Sequence, residues 1–210
     1  RCLPNVSFLL RNRPQSFSDC VKFARLFFED NFKNSILQLL KKFPLDHEMK
    51  DGTLFWAAPR RAPQPLDFDA KDPLHYSFVY NFALLWAGVW KIDIANIEAP
   101  EVISMCENVE VPVFVPKEDA EIETDENAEK PKGKEEKIDS SDMQQLQREV
   151  LSILKDNPSL SVAPVDFEKD DDTNHHIDMI TAATNLRARC YTIKEAPRLE
   201  IKRIAGNITP

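Results

Sequence analysis

Glycine is scarce in this sequence. Its 210 residues contain four glycines, Gly52, Gly88, Gly133 and Gly206, and no two of them lie within one loop of each other. A loop that binds phosphate needs clustered glycines, because its backbone N–H groups must come close to the ligand. The sequence therefore excludes a glycine-rich nucleotide loop in this segment.

Paired cysteines are also absent. The four cysteines stand at positions 2, 20, 106 and 190, so the chain has no C-x-x-C pair. This excludes a zinc ribbon and a thioredoxin-type redox site. His47-Glu48 is not followed by a second histidine one helical turn later, so the H-E-x-x-H zinc pattern is missing as well. We expect the cysteines to be reduced thiols, buried as small apolar residues of an intracellular protein.

Positive charge and long apolar runs are limited too. Lys and Arg number 27 against 35 Asp and Glu, which gives a net charge of -8 and disfavours a nucleic-acid binder. The longest apolar run, residues 82–90, is far shorter than the roughly 20 residues that span a bilayer. Because the chain opens on Arg1 rather than Met, we expect a piece of a longer protein.

Apolar residues in the first part recur every three or four positions, which is typical of amphipathic helices. One stripe starts at Phe17, where Ser16 can cap the helix, and a second starts at Phe32 and ends before Pro44. Such stripes are far more often core than ligand site, so we predict two core helices. Their apolar positions are Phe17, Cys20, Val21, Ala24, Phe27, Phe28, Phe32, Ile36, Leu39, Leu40 and Phe43.

A longer helix is predicted after Asp72-Pro73, where the aspartate can cap it and the proline suits its first turn. Apolar residues cover most of the surface of residues 74–90, so this helix should be central and buried. A short helix is expected over residues 99–109, and residues 111–115 fit a short strand. The chain is predicted to be mainly α, with a few short strands.

Composition changes over residues 117–142, which hold 11 acidic and 5 basic residues among 26. Because this stretch has few apolar residues to bury, we predict a disordered, mobile charged insert. It is either a solvated loop of no specific function or a lid. After it, a helix is expected from Ser141 to before Pro158, and another over residues 174–191.

Two patterns at the start of this last helix resemble metal sites. The alternation of Asp170, Asp172 and Asn174 resembles a calcium loop, but His175 and Thr181 replace the glycine and glutamate that such a loop needs. Zinc is the other candidate, although adjacent histidines point to different helix faces; its ligands would be His175, His176 and Asp178. The favoured reading is that these acids interact with the positive helix N-terminus.

Cys190 is a candidate reactive thiol, because Arg187 and Arg189 are close in sequence and cations lower the pKa of a thiol. A buried cysteine at the end of a helix is the default reading. No Ser/His/Asp or Cys/His set and no nucleophile elbow can be recognised.

Two longer stretches resemble a known family. Residues 55–69 with 72–75, and residues 167–188 with 203–206, are similar to ubiquitin-activating enzymes, in their second catalytic-cysteine half-domain and its exit. Arg13-Pro14, Cys20 and Phe43-Pro44 resemble the same family. Residues 50–56 resemble its second, less common class. The likeness covers most of the chain except the charged insert.

The resemblance implies a parent enzyme that uses ATP and Mg²⁺ to adenylate ubiquitin. The enzyme would then form a ubiquitin thioester on its own cysteine and pass ubiquitin to a conjugating enzyme, in the cytoplasm and nucleus. In this family the nucleophilic cysteine precedes the position of Arg1, so no catalytic, cofactor-binding or metal-binding residue is expected in this chain. The alternatives are a non-catalytic helical interaction module, or an activating enzyme for another ubiquitin-like modifier.

The same resemblance gives the expected domain organisation. Residues 1–116 and 143–195 would form the helices of one catalytic-cysteine half-domain, and residues 117–142 a mobile insert that covers the catalytic cysteine. Residues 196–210 would lead toward an adenylation domain that lies outside this chain. We expect the fragment to be scaffold and lid, inactive by itself.

Overall fold

The computed structural model describes residues 3–94, 97–118, 140–158 and 160–208, and helices dominate these ranges. This confirms the mainly α fold. The only strand-like pairing among the described residues is an isolated antiparallel bridge between Glu48 and Leu54. In chain order the helices are α1 (Leu3–Arg11), α2 (Phe17–Glu29), a π-helical turn (Asp30–Asn34), α3 (Ser35–Lys42), α4 (Pro73–Trp90), α5 (Ala99–Glu107), α6 (Ser140–Asp156), α7 (His176–Cys190) and α8 (Arg198–Ile208).

The two apolar stripes of the first part belong to one continuous helical rod. Ser16 starts it with a capping box in which the Ser16 hydroxyl and the Asp19 carboxylate each accept the other residue's backbone N–H. Phe28, Phe32 and Ile36, spaced four residues apart, are all buried. Residues spaced four positions apart gradually move around the surface of an α-helix, which has 3.6 residues per turn. The π turn has more residues per turn and brings these side chains back to the same face. The prediction of two separate helices is therefore wrong at the junction.

α4 is the central helix, as predicted, because both α2 and α7 pack against it. The Asp72 carboxylate caps its start by accepting the backbone N–H groups of Leu74 and His75 at 2.8 and 3.2 Å. Lys91, in the left-handed conformation with φ 56°, ends it. Side chains from α2, the π turn, α3, α4, α5 and α7 contribute to one apolar core. The largest that are fully buried include Phe28, Phe78, Ile36, Leu186 and Val79.

α1 and α6 form a pair beside this core, and α1 was not among the predicted helices. The Arg11 guanidinium donates to both carboxylate oxygens of Glu149 on α6. Arg13 donates to the side chain of Asn157 at 2.8 Å. The Phe8 ring contacts Phe23 of α2, with 6.2 Å between centroids, and so joins the pair to the core. α6 itself was expected from its capping pattern and apolar spacing.

The short strand predicted over residues 111–115 is wrong. This segment is extended but has no strand partner in the described part of the chain. Pro112 and Pro116 lack the N–H donors that a strand ladder needs. The segment is instead tied to α3 by the Gln38 amide, which donates to the Lys117 carbonyl at 2.7 Å and accepts its N–H at 2.8 Å.

Most of the predicted insert, residues 119–139, lies outside the described residues, so its disorder and its role as a lid stay predictions. The division into residues 1–116, 117–142, 143–195 and 196–210 also stays a prediction. Residues 161–167 contain no helix. α8 lies within residues 196–210, over which no helix was predicted.

Candidate functional site

Three of the four cysteines lie in the apolar core. Cys20 and Cys190 have no exposed surface and Cys106 has 3%, and all three are free thiols. Burial, and secondarily the charge of Asp19, raises the pKa of Cys20 to about 12. Burial raises the pKa of Cys106 to about 11. These thiols therefore stay protonated at neutral pH and serve as small core residues.

Cys190 is not activated by the arginines near it in sequence. Burial raises the pKa of its thiol more than the charge of Arg187 lowers it. The Arg187 guanidinium lies over the Phe32 ring, 5.4 Å from its centroid, and Arg189 is engaged with Asp72 and Glu195. The reactive-thiol hypothesis is therefore wrong for Cys190, and the default reading is confirmed. Cys2 lies outside the described residues.

The calcium candidates, Asp170, Asp172 and Asn174, all have partners within the protein. Asp172 accepts from Arg198 at 2.9 Å and Lys202 at 3.2 Å, and the Lys202 ammonium also lies 3.8 Å from Asp170. The Asn174 side-chain oxygen Oδ1 accepts the backbone N–H of His176 at 3.0 Å. These side chains are engaged with lysine, arginine and backbone groups, and no group of three His, Cys, Asp or Glu in the described ranges is arranged to hold a metal ion.

The zinc candidates are also separated. His175 Nδ1 lies 3.0 Å from Asn81 Oδ1 on α4. His176 Nδ1 accepts the backbone N–H of Glu168 at 3.2 Å, and the Asp178 carboxylate is paired with Arg198. As expected for adjacent residues, the two histidines point to different parts of the molecule. The histidines join the loop and α4 to the start of α7.

The acids at the start of α7 also pair with a second helix. Asp178 lies in the first turn of α7. In addition, Asp172 and Asp178 accept hydrogen bonds from cations of α8, which is 20 to 30 residues further along the chain. Hydrogen bonds from Arg198 and Lys202 hold the pKa of Asp172 below its usual value. This pairing was not predicted, because the cations stand in residues 196–210, over which no helix was expected.

A second unpredicted arrangement joins α7 to the connector before α8. The buried Asn185 amide donates to the Ala196 carbonyl at 3.0 Å and accepts the Ala196 N–H at 2.9 Å. Arg189, one turn later, donates to Glu195 and to Asp72, the cap of α4. α7, the connector and the start of α4 are thereby fixed to one another.

The described residues do not fit a bound nucleotide or Mg²⁺. Gly52 lies in a tight turn with φ 78°, Gly88 lies within α4, and Gly206 lies within α8. None of these three positions forms a loop of converging N–H groups, and Gly133 is outside the described ranges. In the same ranges, no helix is both long enough and apolar enough to cross a membrane.

Comparisons with known proteins agree on one family. A family model described as the SCCH domain of ubiquitin-activating enzyme matches residues 2–202. The chain is 45% identical over 208 residues to the human ubiquitin-like modifier-activating enzyme 6. The aligned region is 96% of this chain and 20% of that protein. The chain is 40% identical over 216 residues to ubiquitin-activating enzyme E1 1 of Candida albicans, and the aligned region is 99% of this chain and 20% of that protein. The human ubiquitin-like modifier-activating enzyme 1 is 38% identical over 202 residues, and the aligned region is 96% of this chain and 19% of that protein. The chain thus spans about a fifth of the length of these relatives.

Proposed function

Because the chain belongs to the ubiquitin-activating enzymes, as their SCCH domain, we propose that it is the helical scaffold of a longer enzyme of this kind. That enzyme adenylates the carboxyl terminus of ubiquitin with ATP and Mg²⁺, takes it up as a thioester on a cysteine, and passes it to a conjugating enzyme. An acyl-adenylate activates the carboxylate, and a thiolate then traps the acyl group in a transferable form. The match over residues 2–202 carries this proposal.

The described residues supply structure to this reaction and no reacting group. A thioester requires a thiolate nucleophile, whereas burial raises the pKa of the Cys20, Cys106 and Cys190 thiols. The nucleophile of the proposed enzyme is therefore a cysteine outside the described residues. Nucleotide and Mg²⁺ are bound elsewhere in the enzyme as well, since the described residues do not fit them.

A second candidate function is the activation of a ubiquitin-like modifier other than ubiquitin. Two of the relatives, at 45% and 38% identity, are named as activating enzymes of ubiquitin-like modifiers. An enzyme for a modifier other than ubiquitin would use the same chemistry.

The free core thiols support the cytoplasm and nucleus as the location of the proposed enzyme, because these compartments keep cysteines reduced.

The test is thioester formation by the whole enzyme that contains this chain. The enzyme is incubated with ATP, Mg²⁺ and ubiquitin, and run on a gel with and without reductant. Its matched variant carries Cys2→Ala, Cys20→Ala, Cys106→Ala and Cys190→Ala, because alanine keeps the core apolar where serine would bury a hydroxyl. Circular dichroism and adenylate formation, followed by pyrophosphate exchange, show whether the variant is folded.

A reductant-sensitive ubiquitin adduct that persists in the variant supports both the enzyme class and the position of the nucleophile. An adduct lost in a folded, adenylating variant contradicts the position of the nucleophile. If the wild-type enzyme forms an adduct only with another ubiquitin-like modifier, the second candidate function is correct. No adduct with any modifier would leave the non-catalytic interaction module.

A further inference from the structure

The last helix of the described chain is held by charges from the loop that precedes α7. We call residues 168–174 the acidic loop. Arg198 of α8 donates to Asp172 in this loop and to Asp178 on the first turn of α7. Lys202, one turn further along α8, lies 3.2 Å from Asp172 and 3.8 Å from Asp170. Two cations of α8 thus meet three carboxylates, two from the acidic loop and one from α7, along one side of α8.

The acidic loop also crosses α8 near its end, at a position with no side chain. A Cβ atom added at Gly206 would lie 2.6 Å from Cδ of Lys169, far inside van der Waals contact. The aliphatic part of Lys169 therefore runs directly over the backbone of α8. On the side that faces the body, Ile201 and Ala205 are buried, so one face of α8 packs on α7 while the acidic loop lies along its edge.

The connector between α7 and α8 is fixed independently of these charges. The Asn185 amide is 6% exposed and forms both of its hydrogen bonds with the backbone of a single residue, Ala196. This pairing satisfies the N–H and C=O groups in the same way as a neighbouring strand would. Arg189 holds Glu195, the residue before Ala196, while it binds Asp72 at the start of α4. The connector is therefore anchored at Glu195 and Ala196, close to the start of α8.

We propose that Asn185 is a positioning residue that, together with the acidic loop, fixes α8 to the helical body as one rigid unit. The joint between α7 and α8 is then no hinge, and in the proposed enzyme the body keeps one orientation relative to α8. This inference rests on the proposed function, because the orientation matters only in an enzyme whose adenylation and thioester steps use two sites. The aspartates of the loop are assigned to this intramolecular contact.

Hydrogen exchange of the complete 210-residue chain tests the joint without any reference to activity. Asn185→Ala removes both hydrogen bonds to Ala196, and we expect amides of residues 193–208 to exchange at least tenfold faster. Exchange in α2 and α4 should not change. The matched control is Asn108→Ala, since Asn108 is an exposed asparagine whose amide bonds only to Ser104 on its own helix.

A second variant keeps the test decisive if Asn185→Ala does not fold. Arg198→Ala removes the contacts to Asp172 and Asp178 from a partly exposed position, so the body should remain folded. We expect faster exchange confined to α8, and 0.5 M salt should reproduce part of this effect in the wild type because it screens exposed charges. An unchanged α8 in both variants, or equal acceleration in α2, α4 and α8, would overturn the proposal.

The whole enzyme provides the readout that a purely structural role would not move. With Asn185→Ala we expect the thioester to form about tenfold more slowly, while pyrophosphate exchange, which reports adenylate formation, keeps its wild-type rate. A thioester rate equal to wild type in an enzyme with a loosened α8 overturns the positioning role. A wild-type enzyme that forms no thioester with any modifier refutes the proposed function instead, and the exchange experiment distinguishes the two failures.

Discussion

Substitution of Asp72 separates two interactions that meet at the start of the central helix. Its Oδ1 atom accepts the backbone N–H groups of Leu74 and His75, and its Oδ2 atom accepts from Arg189 at 2.7 Å. Asp72→Asn keeps an acceptor for the two N–H groups and removes the negative charge that faces Arg189. Asp72→Ala removes both interactions.

The expected magnitudes follow from these contacts. Loss of a helix cap costs about 1 kcal/mol. The pair with Arg189 contributes up to about 1 kcal/mol, because the two side chains are 28% and 32% exposed and solvent screens them in part. We therefore expect Asp72→Asn to lower the free energy of unfolding by about 0.5–1 kcal/mol. Asp72→Ala should lower it by about 1.5–2 kcal/mol.

Urea unfolding of the chain measures this difference. With a urea dependence of about 2 kcal/mol per M, Asp72→Ala should move the midpoint down by roughly 0.8–1 M with an unchanged slope. The control is Asp67→Ala, which removes an aspartate that is 90% exposed and pairs with Lys33. It should cost less than about 0.5 kcal/mol.

The pH dependence gives an independent check. Burial alone would raise the pKa of Asp72, but the hydrogen bonds from Leu74, His75 and Arg189 outweigh it and hold the pKa below 3.8. A carboxylate whose pKa is lower in the folded state contributes stability above its unfolded pKa, and the contribution is lost as the pH falls through the folded value. The stability gap between wild type and Asp72→Asn should therefore narrow below about pH 4. Equal destabilisation by Asp72→Asn and Asp72→Ala, or a gap that widens in acid, would refute this reasoning.

Three further predictions concern the core. Cys20 and Cys106 should resist iodoacetamide in the folded chain at pH 8 and react only on unfolding, as mass spectrometry can show; labelling without unfolding would contradict their raised pKa. Burial lowers the pKa of His75, whose Nδ1 accepts the Asp69 N–H, so wild-type stability should fall as the pH drops below 6.5, where the unfolded chain binds the proton first. His75→Phe should cost about 1–3 kcal/mol at pH 7.5 and remove this part of the pH dependence; an unaltered pH profile in urea titrations would count against it. Leu186→Ala should cost about 2–5 kcal/mol by urea unfolding, since Leu186 is fully buried, and a loss below 1 kcal/mol would show that the core can collapse around it.

Features specified by neighbouring residues were predictable from the sequence. Ser16 and Asp72 were identified as helix caps because each cap and its first turn lie within three residues. The apolar spacing that follows also predicted the core face of α2, apart from Phe27, which is 37% exposed, and the central position of α4. The π turn was not predicted, because apolar residues spaced four positions apart are compatible both with two separate helices and with one helix that contains a π turn.

Contacts between distant residues could not be predicted in this way. Gln38 and Lys117 are 79 positions apart, and Asn185 and Ala196 are 11 apart. In both cases one side-chain amide pairs with the backbone of a loop, and such a bond leaves no periodic pattern in the sequence. The strand prediction over residues 111–115 failed for a related reason, since alternating apolar residues do not reveal whether a partner strand lies beside them.

In the stretch that most specifically resembles the family, the described side-chain contacts are made with other residues of this chain. Within residues 167–188, Asp172 and Asp178 bind Arg198, His176 accepts from the backbone of Glu168, and Asn185 holds Ala196. Chemistry-bearing residue types in a characteristic order would ordinarily favour a metal site or an active site. Their partners instead assign them to the joint of two helices, so in this domain a family signature marks the geometry that the scaffold must keep.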